Sequence, residues 1–184
     1  MEGNVNGVDL ASVQGFVEAV KENNNLANLR FSAKSKWVGG TKADVSVSSF
    51  QAGGQVASKP GRSFKINVTE PPEMGGGDDA PNPVELLASA LCGCLTAGIA
   101  TNAALFGTKI DSLEVDVDVD FDLLGILGMD RGVTCGATGI HYTVRLKGPN
   151  KDALLKSKEV FDRKSAIRNT LERAIPITTD VVIG

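Results

Sequence analysis

The side chains in this sequence best suited to chemistry are three cysteines, Cys92, Cys94 and Cys135, and a single histidine, His141. One histidine excludes every site that needs two, including the zinc motif with histidines one helical turn apart. Sequence signatures for a phosphate loop, a dinucleotide-binding loop or a serine nucleophile elbow are missing as well. A thiol becomes reactive when a positive neighbour or a helix N-terminus lowers its pKa from about 8.5. We therefore examined the cysteines and the elements that hold them.

The element that carries Cys92 and Cys94 is predicted to be a long helix. Asn82 is placed to cap its start, and Glu85, three residues later, completes a capping-box-like pattern. Gly107 provides the matching stop. Residues two apart on a helix point about 200° away from each other, so only one of the two cysteines can face a given site. A cysteine in a buried helix otherwise behaves as a small apolar residue.

This predicted helix carries no charge from Leu86 to Phe106, a length that could cross a bilayer. Polar residues inside it and half-buried strands on either side favour a central core helix, so no membrane partner is expected. One face is built of small residues, which would let another helix approach closely within the molecule or across a dimer. These residues are Ala90, Gly93, Ala97, Gly98 and Thr101.

The rest of the chain alternates in blocks of strand and helix. Asp9 is predicted to cap an N-terminal helix, and from Asn28 the apolar residues recur every second position. That alternation predicts an antiparallel meander with a turn at Gly39-Gly40 and a loose loop at Gly53-Gly54. Strands that precede and follow the long helix in blocks indicate an α+β fold with antiparallel sheet.

One predicted strand, residues 113–122, alternates apolar residues with five acidic ones and resembles a metal site. Carboxylates in a row on one strand face lie too far apart for a compact cage, so a solvated face is favoured and no metal or other cofactor is predicted. Pairing with the predicted strand 140–147 would set basic groups beside this acidic row. The C-terminal region is predicted to form a helix over 150–163, a second helix capped by Ser165, and a closing strand over 177–183.

Composition and charge narrow the class of protein. The chain has 184 residues, 42% of them hydrophobic, with a formal net charge of −3. This composition is typical of a globular protein. The chain has no excess of basic residues to bind phosphates, so nucleic acid is not an expected partner. The start of the chain has neither the basic nor the apolar region of a signal peptide, and the cysteine number is odd. The sequence therefore predicts a cytoplasmic location with reduced thiols.

The central region resembles a known family, the OsmC/Ohr-like proteins, named for osmotically inducible protein C and organic hydroperoxide resistance. The resemblance is carried by Glu-Pro-Pro-Glu-Met-Gly-Gly at 70–76, Ala-Pro-Asn-Pro-Val-Glu-Leu-Leu at 80–87 and Ala-Leu-Cys-Gly-Cys-Leu-Thr at 90–96. It covers roughly residues 30 to 184. We therefore predict an N-terminal helical extension, residues 1–27, followed by an OsmC-like domain, residues 28–184.

The resemblance implies an intertwined homodimer in which antiparallel sheets wrap around long central helices and the active sites lie at the subunit interface. In catalytic members a peroxidatic cysteine on the central helix attacks a hydroperoxide, and Cys94 stands at that position. The resulting sulfenic acid condenses with a second cysteine, and external thiols reduce the disulfide. At the position of this second cysteine the present chain has Ser165, which cannot form the disulfide.

Two further family positions differ. The catalytic glutamate of the family corresponds to Val84, with Glu85 one residue further on as a weaker candidate that also fits a capping role. The arginine that activates the thiolate corresponds to Thr41. Lys42, Arg62 or Lys65, from the same or the other subunit, are weak candidates to replace it, although each is by default a solvated cation.

Three functions remain open, and the third and weakest is a purely structural or partner-binding protein with no enclosed pocket. The first is a thiol-dependent hydroperoxide reductase of one-cysteine type, in which Cys94 reacts with the peroxide and an external thiol completes the cycle. Cys135 is a weaker candidate for a relocated resolving cysteine. The second is a non-catalytic dimer of the same fold that binds a small apolar ligand or senses redox state through Cys94.

Overall fold

The computed structural model describes residues 4–184 and divides into two compact units. The N-terminal unit spans Asp9–Leu87. The C-terminal unit spans Ala88–Gly184 together with residues 4–8. The long helix α2, Pro83–Leu105, begins in the first unit and continues into the second.

The N-terminal unit consists of one helix and six short strands. The helix α1 begins where the Asp9 carboxylate accepts the backbone N–H of Ser12 at 3.0 Å, as the sequence predicts. Its elements in chain order are α1 (Leu10–Glu22), β1 (Leu29–Arg30), β2 (Ala33–Gly39), β3 (Lys42–Val47), β4 (Gln51–Ala52), β5 (Gln55–Val56) and β6 (Phe64–Val68).

The predicted meander is present, with two corrections. The strands β2, β3 and β6 form an antiparallel sheet in that order, with the β2–β3 turn at Gly39-Gly40. The single strand predicted from Asn28 is wrong, because β1 pairs with β4 in a second small sheet while β2 pairs with β3. The loose loop predicted at Gly53-Gly54 is also wrong. Both glycines have positive φ, 58° and 81°, and they form the two-residue turn of the β4–β5 hairpin.

One face of the β2–β3–β6 sheet is apolar. Trp37, Ala43 and Val68 lie side by side across the three strands, and Ser35, Val45 and Ile66 form the next row. Trp37 is 72% exposed, although a large apolar side chain on a sheet is usually covered. The opposite face carries polar residues, so the sheet has one solvated face and one apolar face that lacks a complete cover in the single chain.

The C-terminal unit contains the rest of α2, a two-stranded sheet and three further helices. Its elements after α2 are β7 (Ser112–Asp120), α3 (Leu123–Ile126), β8 (Gly139–Lys147), α4 (Lys151–Asp162) and α5 (Ala166–Leu171). The helix α2 ends as predicted at Gly107, whose φ is +65°. The N–H groups of Gly107 and Thr108 bond the carbonyls of Ala104 and Ala103, which is the Schellman arrangement.

The core of this unit forms on one stripe of α2. Leu91, Leu95 and Ile99 are spaced by four residues, are at most 2% exposed and pack against the apolar face of β7 and β8. Gly98 lies against Phe161 of α4, and a Cβ atom built there would approach the ring Cζ to 1.7 Å. Gly98, on the small-residue face, therefore allows α4 to pack closely against α2 within this unit.

The acidic strand pairs as the alternation predicts. β7 and β8 are antiparallel, with Glu114 opposite Arg145 and Asp118 opposite His141. Arg145 forms an ion pair with Asp116, which lies two residues along β7 from its register partner Glu114. This face is a solvated row of opposite charges rather than a cage of carboxylates.

The predicted closing strand over residues 177–183 is wrong for the single chain. These residues form no helix or strand, and Ile177, Val182 and Ile183 are more than 90% exposed. A strand needs a neighbour for its backbone groups, and the chain offers this apolar segment no partner strand among the described residues. The fold class itself is confirmed as α+β, with antiparallel sheets and a long central helix.

Candidate functional site

The start of α2 fixes the helix that carries the thiols. The Asn82 side chain accepts the backbone N–H of Glu85 at 2.9 Å, and the Glu85 carboxylate accepts the backbone N–H of Asn82 at 2.8 Å. This reciprocal pair is the capping box that the sequence predicts, with Pro83 at the first helical position. Glu85 is therefore a structural residue of the helix start.

The thiol of Cys94 contacts the hydroxyl of Ser165. The two heavy atoms, Sγ and Oγ, are 3.3 Å apart, and either group can act as the donor. Ser165 is fully buried, whereas Cys94 is half-buried. The structure thus joins the predicted peroxidatic position to the position where the resembling family has its second cysteine, across 71 residues of sequence.

Ser165 is held in place by the start of α5. Its Oγ accepts the backbone N–H of Arg168 at 3.2 Å, which makes it the N-cap of that helix as predicted. The Arg168 guanidinium in turn donates to the carbonyl of Asp162 at 2.9 Å and forms an ion pair with Glu172. The Ser165 hydroxyl that faces Cys94 is therefore held at the start of α5, and Arg168 links this helix to the last residue of α4, Asp162.

The other two cysteines lie in different surroundings. Cys92 points away from Cys94, as their spacing predicts, and its Sγ lies 3.6 Å from the carbonyl of Val115 on β7. Cys135 is exposed in the loop before β8, where its Sγ lies 3.3 Å from the carbonyl of Gly125. All three thiols are free, and only Cys94 contacts a side chain that can stabilise a thiolate.

A second polar group lies on the same unit. The Tyr142 hydroxyl donates to the Asp162 carboxylate at 3.0 Å, and Lys158 pairs with the other oxygen of that carboxylate at 2.6 Å. Burial and the adjacent Asp162 charge raise the pKa of the Tyr142 phenol above its ordinary value. Tyr142, Arg168 and Leu91 line a cavity of about 210 Å³. Sequence reasoning did not single out Tyr142, since an alternating strand gives no signal for a hydrogen bond to a distant helix.

The remaining predicted candidates, Glu85, Arg62 and Lys65, belong to the N-terminal unit, and each makes different contacts there. Glu85 completes the capping box. Arg62 donates to the carbonyl of Ser48 and lies over the ring of Phe64, 4.7 Å from its centroid. Lys65 lies on the polar face of the sheet, in register with Ser46 of β3.

Metal ligation was considered for the whole of residues 4–184. Within that range no group of three or more His, Cys, Asp or Glu side chains is arranged to hold a metal ion. His141 lies opposite Asp118 on the solvated face of the β7–β8 sheet.

One family model matches the part of the chain that contains this arrangement. The model of the OsmC-like proteins matches residues 75–180, a range that contains α2, Cys94 and Ser165. This chain belongs to the OsmC-like protein family. The match begins in the loop before α2, so the family assignment rests on the long helix and everything that follows it up to the C-terminal tail.

Solved structures of OsmC-like proteins have the same fold at low sequence identity. An OsmC-like protein from Mycoplasma pneumoniae is 15% identical, with a TM-score of 0.58 over 78% of this chain and 87% of the other. An organic hydroperoxide resistance protein OsmC from Legionella pneumophila is 17% identical, with a TM-score of 0.54 over 77% of this chain and 88% of the other. No curated protein matches the sequence significantly.

Family membership also bears on the apolar helix. By length and composition α2 could cross a membrane, and it is the one helix with that property among residues 4–184. An OsmC-like fold gives this helix a different place, as the central helix of a soluble protein.

Proposed function

We propose that this OsmC-like protein is a one-cysteine, thiol-dependent hydroperoxide reductase that acts as a cytoplasmic homodimer. The observation that carries the proposal is the 3.3 Å contact between Cys94 Sγ and Ser165 Oγ. It joins the two positions that hold the reacting cysteines of catalytic relatives. A serine at the second position leaves Cys94 as the reacting group and removes the internal disulfide step.

The Ser165 hydroxyl can donate a hydrogen bond to the Cys94 sulfur. Its Oγ accepts the Arg168 N–H, so the hydroxyl hydrogen remains free for this bond. Hydrogen bonds to an ion are stronger than bonds between neutral groups, so this donor holds the sulfur in place while it attacks the peroxide. The buried hydroxyl loses no bond to water when it turns toward the sulfur, because it is already excluded from solvent.

The first half of the reaction oxidises the thiol. The Cys94 thiolate attacks the terminal oxygen of a hydroperoxide, an S–O bond forms and the O–O bond breaks. The alkoxide leaves and takes up one proton to become the alcohol. Cys94 is then a sulfenic acid, two electrons more oxidised than the thiol.

The second half restores the thiol with an external reductant. A first external thiol attacks the sulfenic sulfur, releasing water and forming a mixed disulfide. A second external thiol attacks that disulfide, regenerates Cys94 and leaves as the oxidised disulfide. Cys94 is half-buried, so a small thiol has access to the sulfur without unfolding of the helix.

Apolar surface that a single chain leaves open supports the proposed homodimer. On α2 the residues Ala90, Gly93 and Ala97 are exposed at spacings of three and four. The apolar face of the β2–β3–β6 sheet is open at Trp37, and so is the apolar C-terminal segment at Val182. Exposed apolar area on this scale marks an association surface, and the second copy expected for the family is the occupant that fits.

The test is addition of one equivalent of cumene hydroperoxide to the fully reduced protein, followed by intact and peptide mass spectrometry over seconds. We expect one added oxygen at Cys94 and its removal by dithiothreitol. Cys92→Ser serves as the matched control on the same helix and should react like the wild type. Cys94→Ser should consume no hydroperoxide. A Cys94 that stays reduced for minutes contradicts the proposal.

The second candidate is a non-catalytic dimer that binds a small apolar ligand or senses redox state. It is favoured by the engagement of Glu85 in the capping box, because one oxygen of that carboxylate already accepts the Asn82 N–H. The same experiment separates the two, since this candidate predicts little hydroperoxide consumption in the wild type and unchanged ligand binding in Cys94→Ser.

A further inference from the structure

A tight turn in the N-terminal unit carries a basic residue at each end. Residues 59–62 read Lys-Pro-Gly-Arg, and the N–H of Arg62 donates to the carbonyl of Lys59 at 3.3 Å. Gly61 has a φ of +74°, as the third residue of a type II turn requires after a proline. Lys59 and Arg62 thus start from the two ends of one turn.

The Arg62 guanidinium is oriented by its surroundings rather than by an acidic partner. It donates to the carbonyl of Ser48 and lies over two rings, 4.7 Å from the centroid of Phe64 and 5.9 Å from that of Phe50. Among residues 4–184 neither Arg62 nor Lys59 forms an ion pair. A guanidinium held by stacking and one backbone bond keeps further N–H donors free in a planar fork.

These groups line one cavity of about 570 Å³ with apolar and polar walls. Phe50, Phe64 and Pro60 provide the apolar walls, and Lys59 and Arg62 provide the charge. Ser58 also lines the cavity. Its Oγ is buried and has no hydrogen-bond partner within the described part of the chain. A buried hydroxyl without a partner is uncommon and requires an explanation such as a missing ligand.

Local charge agrees with an anionic ligand. Residues 29–68 contain seven basic side chains and one acidic side chain, although the whole chain carries a net charge of −3. The single acidic residue is Asp44, in the middle of β3 and in register with Lys36 rather than with the turn. No carboxylate therefore competes for Arg62 within this strand region.

We propose that this cavity, formed by Phe50, Ser58, Lys59, Arg62 and Phe64, binds a small oxyanion carried on an apolar, ring-sized body. Arg62 receives the carboxylate or phosphate in its fork, and Lys59 adds a second positive charge. The phenylalanine rings cover the apolar body. This binding does not rest on the chemistry proposed for Cys94.

The test is calorimetric titration of the full-length protein and of Cys94→Ser with 2-naphthoate, 2-naphthyl phosphate, 2-naphthylmethanol and inorganic phosphate. We expect saturable binding of one naphthyl oxyanion per chain, equal in both proteins, with the better of the first two probes identifying the anion. The neutral alcohol and inorganic phosphate should each bind at least about tenfold more weakly, because each lacks one half of the interaction.

Variants assign the binding to the cavity. Arg62→Gln and Lys59→Gln should each weaken naphthyl oxyanion binding, Arg62→Gln by at least about tenfold. Arg62→Lys should also weaken it, because the charge remains but the fork is lost. Lys34→Gln is the matched control, since Lys34 lies in register with Ser46 on the polar face of the sheet. Equal binding of the alcohol, binding of inorganic phosphate as tight as that of the naphthyl probes, or retention of binding in both glutamine variants would overturn the proposal.

Discussion

At the residue scale the decisive feature is a thiol next to a hydroxyl where catalytic relatives have two thiols. The 3.3 Å separation of Cys94 Sγ and Ser165 Oγ is longer than the S–S bond of about 2.05 Å, but it shows that the side chains point at each other. Replacing the hydroxyl by a thiol should therefore restore a two-cysteine reaction without any rearrangement of the helices.

We predict that Ser165→Cys forms a disulfide between Cys94 and the new thiol within seconds of peroxide addition, because the sulfenic acid meets a thiol inside the protein. Peptide mass spectrometry of the trapped protein measures it. Ser165→Ala is the control that keeps the site small but offers neither thiol nor hydroxyl, and its Cys94 should react more slowly than the wild type near neutral pH. If Ser165→Cys forms no disulfide although its Cys94 is oxidised to the sulfenic acid, the two side chains do not approach each other in solution.

A second prediction at this scale concerns alkaline pH. The pKa of Tyr142 is raised in the folded protein, first by burial and then by its bond to Asp162, so the folded state holds the phenol proton more tightly than the unfolded state. This stabilisation is complete below the unfolded pKa of about 10 and is lost as pH rises through the higher folded value.

Tyr142→Phe should therefore be less stable than the wild type by about 1 kcal/mol near pH 8, and the difference should shrink near pH 11. Urea denaturation at both pH values measures it, and the sequence contains only this one tyrosine, so phenolate absorbance reports the site directly. A stability difference between the wild type and Tyr142→Phe that grows with pH would contradict a raised folded-state pKa of Tyr142.

At the element scale, the capping box at the start of α2 allows a structural role of Glu85 to be distinguished from a catalytic one. The capping box works with glutamate or glutamine at the third helical position, because either side chain can accept the Asn82 N–H. A general acid or base could not be replaced in the same way.

We predict that Glu85→Gln keeps both the stability and the rate of hydroperoxide consumption of the wild type. Asn82→Ala should lower the free energy of unfolding by about 1 kcal/mol, because the Glu85 N–H loses its acceptor. Chemical denaturation and a peroxide assay on the same samples measure both. A Glu85→Gln protein that is stable but reacts more than about tenfold slower would assign the carboxylate to the chemistry.

At the scale of the whole molecule the single chain leaves apolar surface open to water. Ala97 on α2, Trp37 on β2 and Val182 in the C-terminal segment are exposed on surfaces that soluble proteins normally cover. The proposed association of two copies would remove these surfaces from water.

We predict that Ala97→Arg converts the homodimer to a monomer, because a bulky charge on the small-residue face prevents close helix approach and cannot be buried without a partner. Light scattering after size exclusion measures the mass. Ala11→Arg, also an exposed alanine on a helix, is the control and should remain dimeric. Residues 177–183 should show slow hydrogen exchange in the wild type and fast exchange in Ala97→Arg, and a wild type that is monomeric at micromolar concentration would contradict the prediction.

The sequence by itself determined those features that depend on neighbours along the chain. Periodicity and caps located α1, α2, α4 and the start of α5, because N-caps and glycine stops act within four residues. Alternation located β3, β6, β7 and β8, since side chains on a strand repeat every two residues. The divergence of Cys92 from Cys94 follows from helical geometry alone.

Only the tertiary structure decided which distant groups meet. The split of the first predicted strand into β1 and β2 depends on β4 as a partner, and the closing strand 177–183 lacks a partner in one chain. The contact of Cys94 with Ser165 joins residues 71 positions apart, and the Arg62 cavity forms where a turn folds over two rings. Backbone pairing and side-chain contact across such distances depend on how the elements pack, and local sequence carries no information about that packing.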